Sequence, residues 1–198
     1  MATWTPLLKV FYSHKKMDPL FIIEKFYTPG TKPHQVLVDH SRIITEKSLE
    51  IARNLIHLNP DLEFIKKAAM LHDIGICLTR ADSIGCNGEA PYICHGYLGR
   101  MLLDEQGLPP EYGLVCERHT GAGITKENII SSSLPLPQRD MVPISIEEKI
   151  ICIADKYHSK NPKHADKKIT TIQIIEELEK INKDHAQRFS AWAEEFNL

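Results

Sequence analysis

The sequence predicts an all-α fold, a single-domain helical bundle over residues 1–198. Three observations carry this expectation. Apolar residues recur at steps of three and four through most of the chain, the period of helices with one buried face. The alternating pattern of a half-buried strand persists nowhere. The chain's 198 residues, 42% apolar and 25% charged, suffice for one sizeable core, and no repeat or composition break divides them.

The first strong stripe is Val36, His40, Ile43, Ile44, Ile51, Leu55 and Leu58, and Pro60 ends that run. Leu62, Ile65, Ala69 and His72 form the next, broken at Gly75. A third helix is expected from about Pro91 through His95, Leu98, Met101 and Leu102 to Gly107. Pro109 and Pro110 open a fourth, which closes near His119 because Gly121 and Gly123 follow. Ser145 with Glu148 reads as a capping box for a fifth helix carrying Ile146, Ile150, Ile153 and Tyr157, with Asp155 on a neighbouring stripe.

Ile174, Leu178, Ile181, His185, Phe189, Trp192 and Phe196 predict one long amphipathic helix within residues 165–198, docked on the core. A homodimer contact is the alternative use of that stripe. Two long loops remain. Residues 79–90 carry Gly85 and Gly88, and residues 131–143 carry three prolines. Loops of this length beside a helical core serve as lids or substrate-binding segments, or merely connect.

Composition excludes several classes of function. A net charge of −2 and a pI near 6.5 give no basic field for a long nucleic acid. Cys77, Cys86, Cys94, Cys116 and Cys152 are odd in number and form no CxxC pair, which predicts reduced thiols filling the core. Zinc held by Cys86, Cys94 and His95 is the rival, weakened by the lack of a second closely spaced pair. Residues 1–14 lack a basic start, an apolar run and a cleavage site, and no stretch approaches the ~20 apolar residues needed to span a bilayer. The expected location is the cytoplasm, away from membranes.

The chemistry is carried by five polar islands in fixed order: His40, His72-Asp73, His95, His119 and Asp155. Four imidazoles and two carboxylates suit divalent manganese, iron, cobalt, nickel or zinc. Six ligands exceed what one catalytic ion with open positions needs, so two adjacent ions are expected. Taken alone, His40 reads as a hydrogen-bonded core histidine. Asp73 is different, because Ala-Ala-Met-Leu-His-Asp-Ile-Gly holds no Lys or Arg after Lys67. A carboxylate stranded there needs a cation. Asp155, at the end of Ile-Ile-Cys-Ile-Ala-Asp, repeats the problem with Lys156 beside it, so a local ion pair competes with a metal at that position.

These residues resemble the HD superfamily of metal-dependent phosphohydrolases. The match lies in His40 of Asp-His-Ser-Arg, His72-Asp73 of Leu-His-Asp-Ile-Gly and Asp155 of Ile-Ala-Asp-Lys, and it spans roughly residues 36–158. His95 and His119 are similar to the extra ligands of the two-metal branch. His119-Thr120-Gly121 resembles the branch that includes symmetrical dinucleoside tetraphosphatases. One departure is plain: where many members carry His-Asp-Ile-Gly-Lys, this chain has Ile76 at the lysine position. Lys156, Arg80, Arg118 and Arg139 are the cations available to take over its phosphate contact, each also readable as an ordinary surface charge. The Gly-Tyr-Leu-Gly run after His95 is read as close helix packing, with no cyclic-dinucleotide substrate inferred from it.

The resemblance implies an HD-type helical bundle whose metal-binding core covers residues 36–158. It implies that His40, His72, Asp73 and Asp155 hold one ion, with Asp73 bridging to a second ion held by His95 and His119. The implied activity is hydrolysis of a phosphate ester or phosphoanhydride in a small nucleotide-like molecule, such as a dinucleoside polyphosphate or a nucleoside monophosphate. Two alternatives share the ligand list: an HD-type di-iron oxygenase, and a non-catalytic nucleotide-binding regulatory module. His158, three residues after Asp155, is placed to orient that carboxylate; His14, His34, His57, His164 and His185 lack a matching context.

Overall fold

Helix starts decide where this chain turns, and among the described residues six of nine α-helices open on a side-chain cap. The computed structural model describes residues 17–158 and 169–198. His14, His164 and the start of the expected 165–198 segment lie outside them. Helix α1 (Pro19–Ile23) is capped by Asp18, whose carboxylate accepts the Leu20 N–H. Helix α2 (Lys32–Asn54) starts with Pro33 in its first turn, where a missing N–H costs nothing. Its buried face runs through Leu37, Ser41, Ile44, Ser48 and Ile51, with His40 and Ala52 flanking it.

The helix stops before the expected end. A 3-10 turn follows at Ile56–Leu58, and Asn59 takes a left-handed backbone (φ 53°). Leu58 and Ile43, expected on the inner face, are about two-fifths exposed. Asp61 then caps α3 (Leu62–Leu71) through the Phe64 N–H.

A second 3-10 segment, Ile74–Leu78, leads from Asp73 into a two-residue hairpin, β1 (Arg80–Ala81) against antiparallel β2 (Cys86–Asn87). This hairpin occupies the first long loop. The third expected helix divides into a 3-10 turn, Tyr92–Cys94, and α4 (His95–Glu105), so that His95 is the first residue of the helix proper. Helix α5 (Pro110–Arg118) opens on Pro110 and ends one residue before His119. Helix α6 (Lys126–Ser131) carries a reciprocal Thr125–Asn128 capping box inside a stretch with no obvious helical stripe.

Helix α7 (Ile146–Lys156) starts where expected, with Ser145 accepting the Glu148 N–H. The return half of the expected capping box has another use. Glu148 accepts the Ile144 N–H at 2.7 Å and pairs with Arg118. Helix α7 lies against α2, α3 and α5, and its run Ile150–Asp155 is buried.

The long C-terminal helix is two helices. Helix α8 (Thr171–Ile181) and α9 (Lys183–Glu195) meet at Asn182, whose extended backbone (φ −165°, ψ 129°) breaks the helix while its side chain caps α9. The break explains why Ile181 is 74% exposed although it lies on the apolar stripe. Phe189, Trp192 and Phe196 remain buried against the main core. Each such aromatic contributes on the order of 1.5–3 kcal/mol relative to exposure.

Glycines set how closely the central elements meet. A Cβ on Gly75 would lie 2.1 Å from the His95 carbonyl oxygen and 2.3 Å from the Gly99 nitrogen. One on Gly96 would lie 2.5 Å from the Cys116 oxygen. Backbone-to-backbone contact at Gly75, Gly96 and Gly99 therefore draws the Asp73 turn, α4 and α5 together, which is the packing role expected of the Gly-Tyr-Leu-Gly run. Among the described residues no helix is long and apolar enough to cross a membrane.

Candidate metal centre

Each of the six predicted residues stands at a helix end or on a buried helical face. His40 projects from the inner face of α2, and His72 and His119 follow the last residues of α3 and α5. Asp73 precedes the 3-10 turn, His95 begins α4, and Asp155 lies in the last turn of α7. All six are buried, with His72 and Asp73 fully so.

Their side chains converge on Asp73. Oδ2 of Asp73 lies 3.1 Å from His72 Nε2 and 3.5 Å from His40 Nε2. Oδ1 lies 3.4 Å from His95 Nε2 and 3.3 Å from His119 Nε2. Asp155 Oδ1 joins the first group, 3.1 Å from His40 Nε2 and 3.4 Å from His72 Nε2. Two donor sets result, His40–His72–Asp73–Asp155 and Asp73–His95–His119, each with its ligand atoms within 4.8 Å of one another. The two oxygens of Asp73 face different sets.

Backbone contacts orient three of the rings. Nδ1 of His72 donates to Ala69 O (2.6 Å), that of His95 to Tyr92 O (2.7 Å) and that of His119 to Cys116 O (2.7 Å). A carbonyl only accepts, so each Nδ1 carries the hydrogen and each neutral ring turns an Nε2 lone pair inward. Lone pairs then face carboxylate oxygens, and the Nε2 atoms of His95 and His119 face each other at 3.1 Å. An acceptor-only cluster repels itself unless a proton or a metal cation occupies it. Imidazole nitrogen and carboxylate oxygen are the donors that first-row divalent ions take, and the carbonyl-anchored rings supply the outer support that metal-binding histidines use. The residues fit a metal.

Burial acts against the His72 imidazolium, but Asp73 and Asp155 beside it outweigh that and push it up to about 9. Burial holds His119 below its ordinary value, with the neighbouring His72 charge acting in the same direction. A divalent ion held by these histidines would compete with protons for them, so its binding would weaken in acid.

The predicted cations are distributed differently. Lys156 Nζ donates to Asp155 Oδ2 at 2.7 Å, next to the donor cluster. Arg80 is exposed on β1. Arg139 and Arg100 both pair with the buried Glu117, two residues before His119, which ties loop 131–143 to α4 and α5. Arg118 Nη1 donates to both carboxylate oxygens of Glu148, at 2.9 and 3.0 Å. The cysteines form no metal site: the donor groups found among the described residues contain none, and Cys94 Sγ contacts Pro135 O at 3.2 Å.

Sequence reasoning missed three supports. Tyr27 reaches the turn after Asp73. Glu117 gathers two arginines. From α9, Arg188 donates to the Ala122 and Gly123 carbonyls at 2.9 and 2.7 Å, bracing the loop after His119. Each contact spans distant parts of the chain and leaves no local periodic signal.

A family model described as HD domain matches residues 37–160. An uncharacterized protein of Methanocaldococcus jannaschii is 34% identical over 152 residues, covering 75% of this chain and 79% of that protein. A tRNA (cytidine(56)-2'-O)-methyltransferase of Picrophilus torridus is 33% identical over 69% of this chain but only 35% of its own length. Its Thermoplasma volcanium counterpart is 28% identical over 78% of this chain and 40% of that protein. The chain thus spans two-fifths or less of these methyltransferases.

Among solved structures, the HD domain of the L. monocytogenes phosphodiesterase PgpH in complex with cyclic-di-AMP shares the fold. Its TM-score is 0.51 at 18% identity, over 84% of this chain and 81% of that one. With a family match over more than half its length and the ordered donor residues inside that match, the chain belongs to the HD-domain family.

Proposed function

We propose that the protein is a metal-dependent phosphohydrolase that cleaves a phosphate ester or phosphoanhydride in a small nucleotide-like substrate. The observation that carries this reading is the division of Asp73, one oxygen toward His40, His72 and Asp155 and the other toward His95 and His119. In this reading His40, His72, Asp73 and Asp155 would hold one divalent ion and Asp73, His95 and His119 a second, drawn from manganese, iron, cobalt, nickel and zinc. Bound there, such ions would supply positive charge that acidifies water near neutral pH and neutralises phosphate oxygens.

The chain's own residues do the rest. The carbonyl-anchored rings of His72, His95 and His119 hold their Nε2 atoms in place, so the centre needs little rearrangement during reaction. Burial of Asp73 strengthens its interaction with any cation. Lys156, already beside Asp155, takes the phosphate contact that Ile76 cannot make. A nucleotide substrate is supported by the cyclic-di-AMP complex of the PgpH fold neighbour. Dinucleoside polyphosphates and nucleoside monophosphates are the substrates to try beside it.

Metal analysis of freshly purified protein, followed by a phosphate-release screen with manganese, iron, cobalt and magnesium, tests the proposal. It expects bound metal and metal-dependent release from at least one nucleotide. Oxygen consumption by iron-loaded protein with no phosphate release would replace hydrolysis with oxidation.

A further inference from the structure

Tyr27 lies ahead of the segment matched by the family model, yet its hydroxyl reaches the turn that carries Asp73. It donates to Ile74 O at 3.0 Å and accepts the Cys77 N–H at 2.8 Å. Ile74 and Cys77 are an i, i+3 pair of the 3-10 segment Ile74–Leu78, so one hydroxyl bridges both ends of a single turn. The Asp73 carbonyl accepts the Ile76 N–H within the same turn. Fixing Ile74 and Cys77 therefore fixes the backbone from which the Asp73 carboxylate projects.

The ring is itself held firmly. Tyr27 is 2% exposed, and its own N–H bonds to Ile23 O at the end of α1. Burial pushes its hydroxyl well above the ordinary tyrosine range, which keeps the proton that Ile74 O receives. Tyr27 also shares a small cavity with His40 and Asp73, walled otherwise by apolar side chains that include Leu37, Ile76 and Ile84. Ile76, which follows His72-Asp73-Ile74-Gly75, also lines this cavity.

We propose that Tyr27 is a positioning residue for the metal centre: its hydroxyl bridge sets where the Asp73 carboxylate stands between the two histidine sets. The inference rests on the reading of Asp73 as a metal ligand. A hydroxyl that fixes a ligand's backbone acts as outer-shell support, whose loss lowers metal affinity by roughly 10-fold or more.

The test is titration of the full chain with Co2+, followed by calorimetry and the visible absorption of the bound ion. Tyr27→Phe keeps the ring and removes the bridge. It should weaken Co2+ binding by roughly 10-fold and alter the absorption bands. Ile23→Val trims buried packing one turn earlier and leaves the hydroxyl, so its Co2+ affinity and spectrum should match wild type.

Equal affinity and identical spectra in Tyr27→Phe and wild type would overturn the inference while leaving the metal centre intact. Failure of the wild-type chain to bind Co2+ would overturn the proposed function and this inference with it. Amide exchange at Cys77, whose N–H the hydroxyl accepts, should be faster in Tyr27→Phe than in wild type, and equal exchange would contradict the bridge.

Discussion

Gly75→Ala places a methyl group where the structure has backbone. The new Cβ would lie 2.1 Å from His95 O, 2.3 Å from Gly99 N and 2.8 Å from Gly99 Cα. No flexible side chain can swing away, so the Asp73 turn and α4 must separate by about 1 Å or more to restore ordinary contact. Overpacking of this kind costs about 1–3 kcal/mol and can exceed that against rigid backbone. For a chain of this size it corresponds to a fall in Tm of roughly 2–12 °C.

The separation also carries His95 away from Asp73 Oδ1, now 3.4 Å from its Nε2. Metal titration of Gly75→Ala should therefore lose affinity first at the His95–His119 set. Gly30→Ala is the control, because Gly30 has φ +82° but nothing within 4 Å of its added Cβ. It should cost only the left-handed strain, about 1–2 kcal/mol, and leave metal binding unchanged. A Gly75→Ala variant with wild-type Tm and both metal sites intact would refute the close-contact account of the centre.

Other outcomes follow from the same geometry. His95→Ala and His119→Ala should each leave one strong metal site in a titration, since the remaining donor set does not include them. Lys156→Met should lower kcat/KM by roughly 10- to 100-fold, about 1.4–2.7 kcal/mol, at unchanged metal content. Unaltered kinetics would move the phosphate contact to the exposed Arg80. Burial, then the charge of Arg188, holds the His185 imidazole down to about 4, so the unfolded chain binds a proton between pH 6.5 and 4 that the folded chain refuses. Stability from this group is present above pH 6.5 and falls as pH drops toward 4, at up to about 1.4 kcal/mol per pH unit. Denaturant unfolding at pH 5 and pH 7 should show a smaller acid loss in His185→Gln than in wild type.

Much of the bundle is legible in the sequence because its signals are local. Pro110 opens α5, Ser145 caps α7, and apolar steps of three and four mark the buried faces of α2 and α3. The six donor residues stand out for a related reason: an acid stranded in an apolar run, such as Asp73 or Asp155, needs an explanation that its neighbours do not provide. The misses have physical causes as well. Ile181 continues the apolar stripe, but Asn182 favours capping α9 over extending α8, so one expected helix becomes two. Helix α6 rests on the Thr125–Asn128 capping box rather than on a long stripe. Arg139 reads as a free loop cation until the fold brings Glu117 beneath it. The Tyr27 bridge depends on contacts 47 and 50 residues away.

Asp73 is proposed to join two ion sites. Asp73→Asn keeps the side chain's size, removes the charge that draws two cations together, and is expected to abolish hydrolysis while retaining the helical fold. Anomalous scattering from crystals of the manganese-loaded wild-type chain tests the bridge most directly. Two manganese peaks are expected, one beside each oxygen of Asp73, the first bounded by His40, His72 and Asp155 and the second by His95 and His119. A single peak, or peaks that leave Asp73 uncoordinated, would contradict the bridge.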